Sequence, residues 1–117
     1  MVLKNLRQRL TASVAELDQA RLQDRYAGLG LTPIAEAPAR RPIRIGGEVR
    51  GSRVVPRAGV MALEVVVGDG TGEAVAIFSG RRAIRGLGPG RGVLVEGVAR
   101  SQDGRLLFLN PAYTLLP

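Results

Sequence analysis

Arginine is the residue type in this chain whose number and spacing point most directly to ligand chemistry. Of the 17 basic residues, 16 are arginines, and Arg81, Arg82 and Arg85 lie within five positions. A guanidinium group binds phosphate oxygens in a bidentate way and stacks on nucleobases. The spacing therefore suits a phosphate clamp, although a solvated loop explains it too, and a codon bias explains the excess of arginine over lysine.

The net charge favours a polyanionic partner whatever the cause of the arginine content. The chain of 117 residues has a formal net charge of +7 and a pI of about 11.4. Residues 31–117 contain 12 arginines and seven acidic residues, so most of the excess lies outside the N-terminal segment. Such a balance favours nucleic acid or an anionic membrane surface as the partner.

The composition excludes several kinds of catalysis and metal binding. The chain contains no cysteine and no histidine, which removes the usual zinc ligands, the cysteine nucleophile and the commonest general base. Its carboxylates are scattered rather than paired, and Asp69 fits a turn better than a metal site. We therefore expect a protein that is not an enzyme, with no metal and no cofactor. No apolar run approaches the roughly 20 residues of a membrane span, which favours a cytoplasmic protein.

The clearest structural pattern is a hairpin over residues 62–78. Two alternating apolar segments flank the turn Asp69-Gly70-Thr71-Gly72, in which glycine supplies the positive φ angles of a tight turn. Because side chains alternate along a strand, the two strands each have one inner and one outer face. The predicted inner residues are Leu63, Val65, Val67, Val75 and Ile77, and the predicted outer residues are Glu64, Ala76 and Phe78.

An outward Phe78 is a candidate platform for base stacking. A bulge of one residue would reverse its direction and make Phe78 a core residue instead. Phe108 and Tyr113 fit packing within the fold better than contact with a ligand.

The remaining pattern predicts a small β-barrel. Alternation over residues 43–50 predicts a first strand, in which Gly46 and Gly47 suit a bend at a barrel corner. The glycine-rich residues 79–90 predict a connector with at most one helical turn. The other predicted segments are a loop at 56–59, strands at 92–99 and 105–109, a turn at 101–104, and an end to regular pairing at Asn110-Pro111.

The N-terminal segment has the pattern of an amphipathic helix. Apolar residues recur at steps of three and four within residues 2–28, and Ser13 with Glu16 matches a capping box, which predicts a helix over 13–27. Two prolines in residues 31–39 predict an extended linker. We expect the helix to cover an open end of the barrel or to make a weak contact with a second subunit. The apolar stripe consists of Leu3, Leu6, Leu10, Val14 and Leu17, and the expected units are residues 1–30, 31–39 and 40–117.

Several short motifs resemble the OB-fold, a five-stranded Greek-key barrel. The likeness is to its nucleic-acid-binding branch, which includes the anticodon-binding domains of tRNA synthetases, and to short actinobacterial OB-fold proteins, over residues 32–117. It implies a mainly β fold of five strands, preceded here by the N-terminal helical segment. The motifs are Thr32-Pro33-Ile34, Arg57-Ala58-Gly59-Val60, Asp69-Gly70-Thr71-Gly72, Gly80-Arg81-Arg82, Gly97 and Asn110-Pro111.

The resemblance implies a ligand face on the outer side of the second and third strands and their bordering loops. The expected function is non-enzymatic binding of single-stranded DNA or RNA, and the alternative is a protein-binding adaptor that uses the barrel and the helix. The chain departs from the pattern in its short turn at 101–104 and in its four aromatic residues, which predict weak stacking. The implied nucleic-acid-binding residues are Arg44, Arg50, Arg53, Arg57, Phe78, Arg81, Arg82 and Arg85, with Glu64 beside them on the sheet.

Overall fold

The protein is mainly β and barrel-like in a computed structural model that describes Leu17 and residues 28–117. The described part contains one short 3-10 helix, Ile34–Glu36, and seven strands that form a single sheet. No helix of the described residues has the length and apolar character needed to cross a membrane. The strands are β1 (Pro42–Arg57), β2 (Val60–Gly68), β3 (Glu73–Ser79), β4 (Gly92–Val98), β5 (Arg100–Gln102), β6 (Arg105–Leu109) and β7 (Ala112–Leu115).

The order of the strands explains why the sheet curls. The order is β5-β6-β3-β2-β1-β4-β7, and only the β3–β6 pair is parallel. β4 and β5 lie near opposite edges of this order, yet Ala99 alone separates them in the chain. The sheet must therefore bend round until its two sides approach each other. β1 is long enough to belong to both sides of the curled sheet, since residues 42–48 pair with β4 and residues 48–57 pair with β2.

The strand count differs from the five strands predicted. The fourth strand, predicted over 92–99, ends at Val98, and the carbonyl oxygen of Ala99 accepts a hydrogen bond of 2.7 Å from the N–H of Arg40. Residues 100–102, predicted in part as a turn, pair with β6 instead, and the chain beyond Asn110-Pro111 returns as β7 beside β4. These strands are short, and their pairing depends on distant partners that local patterning does not reveal.

The loop predicted at 56–59 is also shorter than expected. β1 continues through Arg57, so only Ala58 and Gly59 connect it to β2. Both residues have positive φ, 52° and 78°, as a two-residue type I′ hairpin turn requires.

The predicted faces of the central hairpin are wrong for β3. Leu63 pairs with Phe78 and Val65 pairs with Ala76, and residues directly opposite each other share a face. Phe78 therefore points inward with Leu63, whereas Ile77 points outward. The cause is the loop of four residues between the strands, because an even-numbered loop places odd positions of β2 opposite even positions of β3.

The barrel core confirms the predicted burial of Phe108. The main apolar cluster contains residues from both sides of the curled sheet, while a smaller buried cluster of Ala62, Val75, Ile77 and Leu107 lies on the opposite face of β2, β3 and β6. Gly47 stands where β1 meets the backbone of Gly68, and a Cβ at Gly47 would lie only 2.7 Å from the carbonyl carbon of Gly68. The most completely buried large side chains are Phe108, Ile45, Ile77, Val49, Val65, Val67, Val93 and Val95.

Residues 31–39 lie against the barrel, and Ile34 is part of its core. The N–H of Thr32 donates to the carbonyl oxygen of Arg44 at 2.8 Å, and the buried Ile34 begins the 3-10 helix. Before them, Leu29 and Leu31 pack on Leu94. The predicted N-terminal helix, its capping box and its apolar stripe lie outside the described residues except for Leu17, which is 70% exposed.

Candidate functional site

The positive charge of the described chain is concentrated in two stretches, which we call the arginine region. These stretches are residues 50–57 of β1 and the loop 80–91 that connects β3 to β4. They contain no acidic residue, whereas the other described residues carry five arginines and seven acidic residues. The excess positive charge of residues 28–117 therefore belongs entirely to this region. Its seven arginines are Arg50, Arg53, Arg57, Arg81, Arg82, Arg85 and Arg91.

Backbone hydrogen bonds bring the two stretches together. At the start of the loop, the N–H of Gly80 donates to the carbonyl oxygen of Met61 at 2.8 Å, and Met61 pairs with Pro56 of β1. At its end, the N–H of Gly90 donates to Val49 at 2.8 Å, and the N–H of Val49 donates to Arg91 at 2.9 Å. The loop is thus attached at both ends to the hairpin that carries the other three arginines.

The loop 80–91 is anchored by two apolar side chains between its arginines. Ile84 and Leu87 are buried in the main core, and the N–H of Leu87 donates to the carbonyl oxygen of Ile84 at 3.1 Å. The loop has hydrogen-bonded turns and no helix, in agreement with the predicted connector of at most one helical turn. Because the apolar residues face the core, the side chains of Arg81, Arg82 and Arg85 are exposed.

The second half of β1 carries the other arginines on a strand with one hydrogen-bonded neighbour. Pairing with β4 ends at Glu48, and an irregular register between Val49 and Gly51 interrupts the pairing with β2 at Arg50. The Arg50 side chain lies over Gly68, with Nε 2.8 Å from where a Cβ of Gly68 would stand. Charged residues and Pro56 on such an edge also discourage pairing with another chain, which is a structural reason for their presence.

The arginines of the region differ in how far their charge is compensated. Arg53 donates from Nε to Glu64 Oε1 at 3.0 Å, an exposed pair of the kind that contributes about 0 to 1 kcal/mol. Among the described residues, no carboxylate forms an ion pair with Arg57 or with the arginines of the loop 80–91. Those uncompensated arginines are Arg57, Arg81, Arg82, Arg85 and Arg91.

Two of the predicted site residues do not belong to the arginine region: Arg44 lies outside it, and Phe78 faces the core. Arg44 belongs to the first half of β1, where its Nε lies 2.5 Å from Glu96 Oε1 and its Nη1 donates to the carbonyl oxygen of Leu29 at 3.3 Å. Phe78 is only 7% exposed, so the prediction that it points outward is wrong. Its ring contacts Tyr113 edge to face, with centroids 5.4 Å apart.

Arg91 belongs to the arginine region but was not among the predicted site residues. This arginine follows Gly90 in the same connector as Arg85, and its carbonyl oxygen accepts the hydrogen bond from Val49. The signal available in the sequence was the complete absence of acidic residues from 80 to 91, rather than the close spacing of the first three arginines.

Comparison with known proteins identifies no relative. No protein-family model matches the chain, and no curated protein matches its sequence.

Proposed function

We propose that this protein is a non-enzymatic nucleic-acid-binding module that contacts single-stranded DNA or RNA through the arginine region. The observation that carries the proposal is the segregation of charge: seven arginines and no carboxylate in two adjoining stretches. An excess of positive charge on a surface attracts a polyanion and raises its association rate. Guanidinium groups without a carboxylate partner are available for phosphate oxygens.

The connectivity of the sheet supports assignment to the OB-fold. A bent first strand pairs with both β2 and β4, and β3 pairs in parallel with β6. When β4 and β5 are counted as one strand interrupted at Ala99, and β7 as an addition, five strands remain in the order expected of that barrel. OB-folds also bind oligosaccharides and proteins, so the charge and not the fold selects nucleic acid here.

A salt titration of oligonucleotide binding tests the proposal. If the five uncompensated arginines each contact a phosphate of a single strand, the plot of log K against log salt has a slope of about −3 to −4. A labelled oligonucleotide is titrated with the full chain at several salt concentrations. Absence of binding at the lowest salt overturns the proposal.

A pair of matched variants locates the site. Replacing Arg81, Arg82 and Arg85 with alanine should weaken binding on the order of a hundredfold and reduce the slope by about 2. Replacing three arginines outside the region, Arg41, Arg100 and Arg105, removes the same net charge and should leave most of the affinity intact. Equal losses in the two variants would mean that the region has no special role.

A second candidate function, a protein-binding adaptor, is favoured by an apolar groove on another surface. The groove has a volume of about 240 Å³ and is lined by Ala99 and Leu107 together with Val98 and Leu109, which are 57% and 53% exposed. Arg40 and Arg100 also line it, so its chemistry fits an acidic peptide with an apolar side chain. Binding of such a peptide that is lost on substitution of Leu109 with aspartate, with oligonucleotide binding unchanged, would support the adaptor function.

A further inference from the structure

We propose that the arginine region recognises the phosphate backbone of its ligand and not the bases, so that a strand without bases binds as tightly as an ordinary one. This inference rests on the nucleic-acid-binding function proposed above and specifies which part of the ligand is recognised.

The arginine region has no aromatic surface on which a base could stack. Residues 50–57 and 80–91 contain no phenylalanine, tyrosine or tryptophan. Phe78, the aromatic residue nearest to the loop in sequence, is buried with its side chain in the main core. Stacking on an aromatic side chain strengthens binding about five- to 150-fold for each base. The arginine region lacks the aromatic side chains that would supply this gain.

The region also lacks the side chains that read the edges of adenine and cytosine. Asn and Gln recognise adenine, and Asp and Glu accept from cytosine, whereas arginine recognises guanine. None of these four residue types occurs in 50–57 or 80–91, and Ser52 is the one polar uncharged side chain there. The arginines supply donors, which suit phosphate oxygens on every nucleotide equally.

The apolar side chains of the site do not replace an aromatic platform. Val54 of β1 and Met61 of β2 are exposed beside the arginines, and both are aliphatic. Tyr113 is the one described aromatic residue with substantial exposure, at 38%, and its ring packs against Phe78. Since Tyr113 pairs with Val95 in the sheet, its position is set by the barrel rather than by the arginine region.

The decisive experiment compares oligomers that share a backbone. Fluorescently labelled strands of equal length are titrated with the full chain: oligothymidylate, oligoadenylate and a strand made only of abasic nucleotides. We expect the three dissociation constants to agree within about threefold and the three salt slopes to be the same. A tenfold or greater preference for the strands with bases overturns the inference while leaving the proposed function intact.

Two further results complete the test. If none of the three strands binds at the lowest salt, the proposed function fails, and the inference fails with it. Tyr113→Leu should bind oligothymidylate and the abasic strand with an unchanged ratio of affinities. Selective weakening of oligothymidylate by Tyr113→Leu would show that a base stacks on Tyr113 and would overturn the inference.

Discussion

The two loops at opposite ends of β3 use their polar side chains in different ways. At the start of β3, Asp69 Oδ1 accepts hydrogen bonds from the N–H groups of Thr71 and Gly72 at 2.9 and 3.2 Å. Asp69 Oδ2 accepts from the N–H of Ile34 at 2.9 Å, and Thr71 Oγ1 accepts from the N–H of Ala35 at 3.1 Å. This loop therefore holds the 3-10 helix, and with it the buried Ile34, against the barrel.

At the other end of β3, the loop 80–91 is held by its backbone and by apolar anchors. Gly80 and Gly90 donate backbone hydrogen bonds to the hairpin, and Ile84 and Leu87 insert into the core. The described arginine side chains of this loop form no hydrogen bond with other described residues. Polar side chains therefore stabilise the fold at the first loop, whereas the arginine side chains of the second loop are exposed. Stability and binding should therefore respond to different substitutions.

The largest effect on stability is expected beneath the arginine region, at Phe78. Truncation of a buried phenylalanine typically costs about 3 to 5 kcal/mol, so Phe78→Ala should greatly lower the free energy of unfolding. Thermal and denaturant unfolding measure the loss, and Phe78→Leu serves as the milder control. Oligonucleotide affinity of the folded protein should stay the same. If Phe78→Ala were stable but bound the oligonucleotide more weakly, Phe78 would belong to the binding site after all.

A smaller loss is expected at the polar loop. Asp69→Ala leaves the N–H groups of Ile34, Thr71 and Gly72 without their carboxylate acceptor, which should cost about 2 to 3 kcal/mol of stability. Asp69→Asn retains an acceptor oxygen and should cost less. Chemical denaturation checks the order of the two variants, and oligonucleotide binding provides the control, since neither change touches the arginine region. If Asp69→Ala were as stable as the unmodified protein, the hydrogen bonds of Asp69 would not stabilise the fold.

The smallest effect on stability is expected for a single arginine of the loop 80–91. Arg82→Ala changes an exposed side chain, so the free energy of unfolding should move by no more than about 0.5 kcal/mol. The same variant should reduce the salt slope of oligonucleotide binding by about 0.7. A melting curve and a salt titration on one preparation test both statements. A large loss of stability with an unchanged slope would place Arg82 in the structure rather than in the interface.

Local patterning predicted the parts of the fold that depend on neighbours in sequence. The turn role of Asp69 is confirmed by its hydrogen bonds within the loop, and a mainly β, barrel-like fold follows from alternation and glycine placement. The direction of Phe78 was not predictable in the same way. The turn residues 69–72 were predicted, but the direction of each β3 side chain depends on which residues pair across the turn, and a register shift of one residue reverses them all.

The candidate site was partly predictable for a related reason. Dense arginines and absent carboxylates are visible in a sequence, so Arg81, Arg82 and Arg85 could be selected directly. Arg44 has the same chemistry in isolation, but pairing of β1 with β4 places Glu96 opposite it and compensates its charge. The difference between these arginines arises from the strand pairing and not from the residues.

The sequence by itself determined the charge, the exclusion of histidine and cysteine chemistry, and the positions of most turns and strands, because these depend on composition and on residues a few positions apart. The tertiary structure decided which strands meet, which face of β3 is buried, and which arginines pair with a carboxylate. The contact of Gly80 with Met61 and that of Arg91 with Val49 join segments far apart in the chain. These contacts continue the β2–β3 and β1–β4 pairings, which the burial of one shared apolar core selects among the local alternatives.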